Sequence, residues 1–292
     1  LFFFRPCCFY KISFFCLSGS FRTASKGLFA FRPPHPIESR YNSGMKIIMS
    51  DAKKMKVSDD HDFALSRPLF EQESNTLWER LEGMSEQQMM DLMKCSKRTL
   101  SPVWEQLERS RNGLHLPESP AVLSYEGIAF SSMAPHVFTD EQFAYLNSHL
   151  RILSGLYGLL RPMDAVHPYR LEMGVRLHPN LYAFWGSRLA EALEDDVIVN
   201  LASREYSKVI APYRPVVNVR FFEEDASGKR QEKGVYAKIA RGIMVRWMAE
   251  NRIESVKDLE GFCEIGYCFD ENASKPGCLV FVRKETHEQS NF

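Results

Sequence analysis

The side chains in this sequence best able to do chemistry are Lys53, Arg161, Asp164, Tyr169, Arg170, Glu172, Asn200, Ser203, Glu205, Lys238 and Arg241. Cations beside carboxylates suit two tasks. One is phosphate recognition, by lysine as a point charge and by arginine as a planar fork. The other is acid/base work on a nucleobase, nucleotide or small phosphorylated metabolite, with Lys53 or Lys238 as amine nucleophile and Glu172 or Asp164 as acid or base. Plainer roles exist for several of these groups. Asp51-Ala52-Lys53-Lys54-Met55-Lys56 reads equally as a solvated loop, and Asn200 and Ser203 as turn and cap residues.

Common catalytic signatures are absent. The chain has no Gly-x-x-x-x-Gly-Lys-Ser/Thr, Gly-x-Gly-x-x-Gly, His-Glu-x-x-His or Gly-x-Ser-x-Gly. His149 and His167 have no cysteine, aspartate or histidine at ligand spacing, so no metal site and no cofactor is expected. From residue 45 onward, Cys95, Cys263, Cys268 and Cys278 form no Cys-x-x-Cys pair and are expected to be free thiols in a cytoplasmic protein.

The elements that must position these groups follow from periodicity. Met45 opens a strand, Lys46-Ile47-Ile48-Met49. Helices are expected between Pro68 and Arg109, with Ser85 and Gln88 as a capping box, and a short strand at Ala121–Tyr125. Thr139 and Gln142 cap a helix whose apolar positions Leu150, Leu153, Leu156 and Leu160 continue at three- and four-residue spacing, broken by Ser154-Gly155 and by Gly158. The spacing predicts a helix, a glycine turn and a second short helical piece, whose free N–H groups could face a phosphate. A helix at 181–193, a buried strand at 197–201, a helix capped by Ser203, a hairpin from Val216 turning at Asp225–Gly228, a helix at 236–251 and two antiparallel strands at 265–270 and 277–282 complete the reading.

Six blocks of this order carry a resemblance. They are Leu150–Gly174, Tyr125-Glu126-Gly127, Leu181–Gly186, Val199–Tyr206, Tyr236–Gly242 and Gly266–Asp270, preceded by Met45-Lys46-Ile47-Ile48-Met49-Ser50-Asp51-Ala52-Lys53. Together they resemble the YaaA peroxide-stress protein family, with Asp51 standing where that family usually carries proline. The resemblance implies a cytoplasmic protein that binds double-stranded DNA through a helix-hairpin-helix and limits free iron under peroxide. Here the hairpin falls on Leu153–Gly158. The implied DNA-contacting set is Lys53, Lys54, Ser154, Gly155, Tyr157, Gly158, Arg161, Tyr169, Arg170, Lys238 and Arg241. A small phosphorylated ligand is the alternative partner.

Composition sets the frame. The 292 residues are 45% hydrophobic, enough for a proper core, and no run of 18 apolar residues exists to cross a membrane. Formal net charge is zero, but residues 1–44 hold six basic side chains against one acidic, leaving 31 basic and 36 acidic beyond. An acidic body excludes a generic polyanion binder, so contact with DNA requires a local basic patch. Residues 1–44 are aperiodic, hold nine of the 21 phenylalanines and are expected to be a disordered extension, either transit-like or upstream of a mis-set start. Residues 45–292 are expected to form one mixed α+β domain containing the helix-hairpin-helix-like element.

Overall fold

A computed structural model describes residues 44–58, 64–193 and 197–284. The disorder expected for residues 1–44 lies, Gly44 apart, outside the described residues. The chain opens with β1 (Met45–Ser50) and a helical block of α1 (Glu71–Glu82), α2 (Glu86–Met93) and α3 (Lys97–Arg111). Then come β2 (Ser119–Pro120), α4 (Ala121–Ser124), α5 (Ile128–Met133), α6 (Asp140–His149), β3 (Leu150–Ser154), β4 (Gly158–Leu160) and β5 (Ala165–Val166). The second half runs α7 (Leu181–Trp185), α8 (Arg188–Glu191), β6 (Val197–Asn200), α9 (Arg204–Ser207), β7 (Val217–Glu224), β8 (Arg230–Gln231) and α10 (Gly234–Asn251). It closes with β9 (Cys263–Glu264), β10 (Tyr267–Phe269) and β11 (Cys278–Lys284).

Local signals behave as their chemistry dictates. The Ser85 hydroxyl accepts the Gln88 N–H while the Gln88 side chain accepts the Ser85 N–H, and Thr139 and Gln142 do the same at α6. Ala121–Ser124 is a helical turn instead of the expected strand: Pro120 holds φ at −59° ahead of it, and the Ser124 hydroxyl donates back to the Pro120 carbonyl at 2.8 Å.

The main correction concerns residues 150–160. They form the β-hairpin β3–β4, with Ile152 opposite Leu160 and Ser154 opposite Gly158, and no helix-hairpin-helix is present there. The segment is apolar at nearly every position, so leucine spacing alone does not separate a helix from a strand buried on both faces. Parallel pairing with β1, Ile47 to Leu150 through Ser50 to Leu153, decides the matter.

The principal sheet runs in the order β4-β3-β1-β6-β7-β11-β10-β9, with β8 hydrogen-bonded to β7. Its centre, β3-β1-β6-β7-β11, is parallel, and the margins are antiparallel. The mixed helix and strand content expected of the chain is present, but this parallel centre is built by crossovers that an α+β arrangement lacks. From β1 the chain returns to place β3 on one side of it and later β6 on the other. The carboxyl ends of β1 and β6 therefore bound the position where the strand order reverses, and there neighbouring loops diverge to leave a crevice. Glycine at 242 lets α10 press against α5, because a Cβ there would meet the Ala129 carbonyl oxygen at 2.0 Å.

Candidate functional site

A cavity of about 430 Å³ opens at that crevice. Its walls are Met49–Lys54 following β1, Leu201, Ser203, Glu205 and Tyr206 following β6, Glu126–Phe130, Glu172, and Lys238 and Arg241 from α10. The two loops are tied across the sheet: the Ser50 hydroxyl accepts the Ser203 N–H at 2.9 Å and bonds the Ser203 hydroxyl at 3.2 Å. Ser203 sits at the N-cap of α9, as its sequence position suggests, but its side chain makes this tie to Ser50 in place of a cap bond. The loop after β1 is held further by the Asp51 N–H to Leu153 O bond and the Glu126 N–H to Lys54 O bond.

Asp51 is the chemically distinctive group. The residue keeps partial exposure on the cavity, yet its carboxyl end is enclosed and accepts the Tyr169 hydroxyl at 2.7 Å. Burial pushes its pKa up to about 7, aided by the Glu172 charge; hydrogen bonds from Tyr206, Tyr169 and the Gly155 N–H oppose the rise. A directed hydrogen-bond chain ends on it. The Ser154 hydroxyl accepts the N–H groups of Leu156 and Tyr157 at 3.2 and 3.0 Å, so its own proton is free for the Tyr169 oxygen at 2.6 Å. The Tyr125 hydroxyl meets the same oxygen at 2.8 Å. When Asp51 is ionised it can only accept, and both neighbours must then donate to Tyr169. Burial also holds the Tyr125, Tyr169 and Tyr206 phenols well above their ordinary pKa, so all three stay protonated donors.

The cations differ in freedom. Lys53 is bound to Glu172 at 2.6 Å, and Glu172 also takes Arg170 at 3.1 Å. Arg241 reaches Glu232 at 3.3 Å, and burial lowers its pKa. Lys54 and Lys238 are exposed at the cavity and make no ion pair among the described residues. Glu205 accepts the Gly174 N–H at 2.8 Å, which fixes its carboxylate beside the cleft.

The structure thus brings Lys53, Lys54, Glu172, Ser203, Glu205, Lys238 and Arg241 together, with Arg170 behind Glu172 and Tyr169 beneath Asp51. Others are elsewhere. Asp164 is fully buried, bonded to the Ser66 hydroxyl at 2.6 Å and to the Arg161 N–H at 2.8 Å, and Arg161 pairs with it at 3.0 Å. Neither lines the cleft. Ser154, Tyr157, Gly155 and Gly158 are buried. A Cβ on Gly155 would stand 2.0 Å from the Leu171 carbonyl oxygen, and one on Gly158 would meet Trp185 at 2.8 Å, so both glycines are packed closely against protein. Asn200 turns inward: its Oδ1 accepts the Ala202 N–H and its amide donates to Asn218. His149 bonds the Met45 carbonyl and His167 the Tyr157 hydroxyl. Among the described residues no group of three or more His, Cys, Asp or Glu is placed to hold a metal. Asp51 and Tyr206 escape sequence reasoning; the sole signal for Asp51 is an acid where the resembled family carries proline.

Comparison with known proteins gives a consistent result. A family model described as peroxide stress protein YaaA matches residues 45–273. A UPF0246 protein of Agathobacter rectalis is 41% identical over 250 residues, covering 82% of this chain and 99% of the relative. UPF0246 proteins of Lactiplantibacillus plantarum and Pediococcus pentosaceus are 40% and 37% identical, covering 82% and 84% of this chain and 99% and 100% of those proteins.

Proposed function

Because the chain belongs to the peroxide stress protein YaaA family, we propose that it serves that role through the crevice at β1 and β6, which binds a small phosphorylated or nucleotide-like molecule and exchanges a proton with it through Asp51. The observation that carries this reading is a carboxyl group whose pKa lies at about 7 at a lysine-rimmed cavity. Such a group is present in both protonation states near neutrality, which is the requirement for acid/base catalysis. The volume of about 430 Å³ suits a small ligand and is far too small for a duplex. In the proposed division of labour Lys54 and Lys238 meet the phosphate, Asp51 moves the proton, and Tyr169 orients Asp51. Glu172 is shared by Lys53 and Arg170, and the ion pair engages the Lys53 ammonium in its charged form, which makes Lys53 a weaker nucleophile candidate than its position suggests. The proposed setting is the cytoplasm, with protection from peroxide and restraint of free iron as downstream consequences. No helix among the described residues is long and apolar enough to cross a membrane.

A second reading keeps double-stranded DNA as partner, and Lys54 and Lys238, exposed and without an ion pair among the described residues, favour it. Contact at the rim by two cations implies a slope of log K against log salt of roughly −2. Calorimetric titration with nucleoside monophosphates and inorganic phosphate, alongside a fluorescent duplex, separates the readings. Nucleotide binding weakened about tenfold by Lys238→Ala supports the first, at the scale of one charge-assisted hydrogen bond. Duplex binding with that salt slope and no nucleotide binding supports the second. Failure of both ligands to bind overturns both.

A further inference from the structure

Cys263 and Cys268, expected from sequence to be free thiols, are joined by a disulfide across the β9–β10 hairpin. We infer that this pair is a reversible redox site, a dithiol that hydrogen peroxide converts to the disulfide and that small thiols reduce again. The inference is independent of what the cleft binds.

Backbone geometry presets the reaction. The hairpin turns through two residues, Ile265 and Gly266, both at positive φ of 47° and 82°, and Glu264 pairs with Tyr267. A two-residue turn of that hand fixes the register, so the next pair outward, Cys263 and Cys268, faces across the strands at a Cα separation of 4.2 Å. Neither strand needs the S–S bond to stay in place. Phe262 and Tyr267 flank the pair and are buried in the core, the Tyr267 hydroxyl donates to Glu223, and β10 is hydrogen-bonded to β11. The closed loop is short, with a sequence separation of 5, so the bond constrains the unfolded chain less than one closing a long loop would. Access is available as well. β9 forms the outer end of the sheet, and Cys263 is exposed there with Cys268 half-buried.

The chemistry balances with peroxide as oxidant. One cysteine thiolate attacks a peroxide oxygen; the S–O bond forms, the O–O bond breaks and hydroxide leaves as water, giving a sulfenic acid. The second thiolate attacks that sulfur, forming S–S and releasing a second water. Two thiols thereby lose two electrons to one hydrogen peroxide. Because the partner sulfur is already adjacent, capture of the sulfenic acid outruns further oxidation.

The test uses the full chain, reduced with dithiothreitol and desalted, then given stepwise hydrogen peroxide, with alkylation and tandem mass spectrometry resolving each of the seven cysteines. The expected result is a Cys263–Cys268 link forming at least tenfold faster than loss of the free Cys95 or Cys278 thiol, reversed by dithiothreitol, with little change in melting temperature between the two states. Cys268→Ser should instead leave a dimedone-reactive sulfenic acid at Cys263. The inference is overturned if the two thiols persist at peroxide levels that oxidise Cys95, if the bond resists dithiothreitol in the folded protein, or if reduction lowers the melting temperature sharply, which would mark a structural staple.

Discussion

Replacing Asp51 by asparagine keeps the shape of the side chain and removes its charge, and the consequence for stability depends on pH in a calculable way. Folding raises the Asp51 pKa from 3.8 to about 7. Between those values the folded state holds the proton more tightly than the unfolded state, so each step up in pH costs stability, and the loss is complete above the folded pKa. A rise of roughly three units at 1.36 kcal/mol each is about 4 kcal/mol, an order-of-magnitude ceiling on what ionised Asp51 costs at pH 8. Asp51→Asn should therefore match the parent near pH 3, below the unfolded pKa, exceed it by about 1.5 kcal/mol near pH 5, and exceed it by up to about 4 kcal/mol at pH 8. The Tyr169 hydroxyl, 2.7 Å from the carboxylate in the parent, can still donate to the asparagine oxygen, which limits the collateral loss. Urea unfolding at several pH values, with m checked for constancy, measures the difference. A pH-independent gap between variant and parent, or a variant less stable at pH 8 than at pH 5 relative to the parent, would refute the reasoning that burial dominates at this carboxyl group.

Other perturbations probe the remaining parts. Tyr169→Phe deletes the hydrogen bonds to Asp51, Ser154 and Tyr125, and should cost about 1–3 kcal/mol. It should also move the Asp51 titration to higher pH, because the lost bond lowers that pKa; a carboxyl-region NMR titration reads the shift. Gly155→Val drives a Cβ into the Leu171 carbonyl and should destabilise by about 3 kcal/mol or more in chemical denaturation; a variant as stable as the parent contradicts the close packing described for this turn. Arg161→Ala removes the partly exposed guanidinium from Asp164 but leaves the Ser66 hydroxyl and the backbone N–H bonded to that carboxylate, so it should cost about 1–2 kcal/mol, while nucleotide affinity measured on the folded variant stays unchanged; a tenfold loss of affinity would return Arg161 to the binding site.

Several elements were legible because their signals are local. The capping boxes at Ser85 and Thr139, the hairpin that turns after Glu224 and the long helix over α10 depend on neighbours within a few residues. The β3–β4 hairpin was not legible, since a uniformly apolar stretch fits either helix or strand until β1 pairs with it. Ser203 shows the same division: its position at the start of α9 is local, whereas its bond to Ser50 spans 153 residues. The disulfide was hidden for a related reason, because a spacing of five residues matches no familiar motif and becomes reactive only when a two-residue turn sets the strands opposite one another.

By itself the sequence determined the family, the acidic body and which residue types are available for chemistry, since motif order and composition are properties of the chain. Tertiary structure alone decided which of those residues share a site. It gathered Lys53, Lys54, Lys238 and Arg241 around the crevice at β1 and β6, took Arg161 away to pair with the buried Asp164, and promoted Asp51. The physical reason is that the burial which raises the Asp51 pKa, and the Tyr169 and Tyr206 hydrogen bonds which oppose that rise, both depend on segments more than a hundred residues away in sequence meeting at one carboxylate, and no local pattern encodes that enclosure.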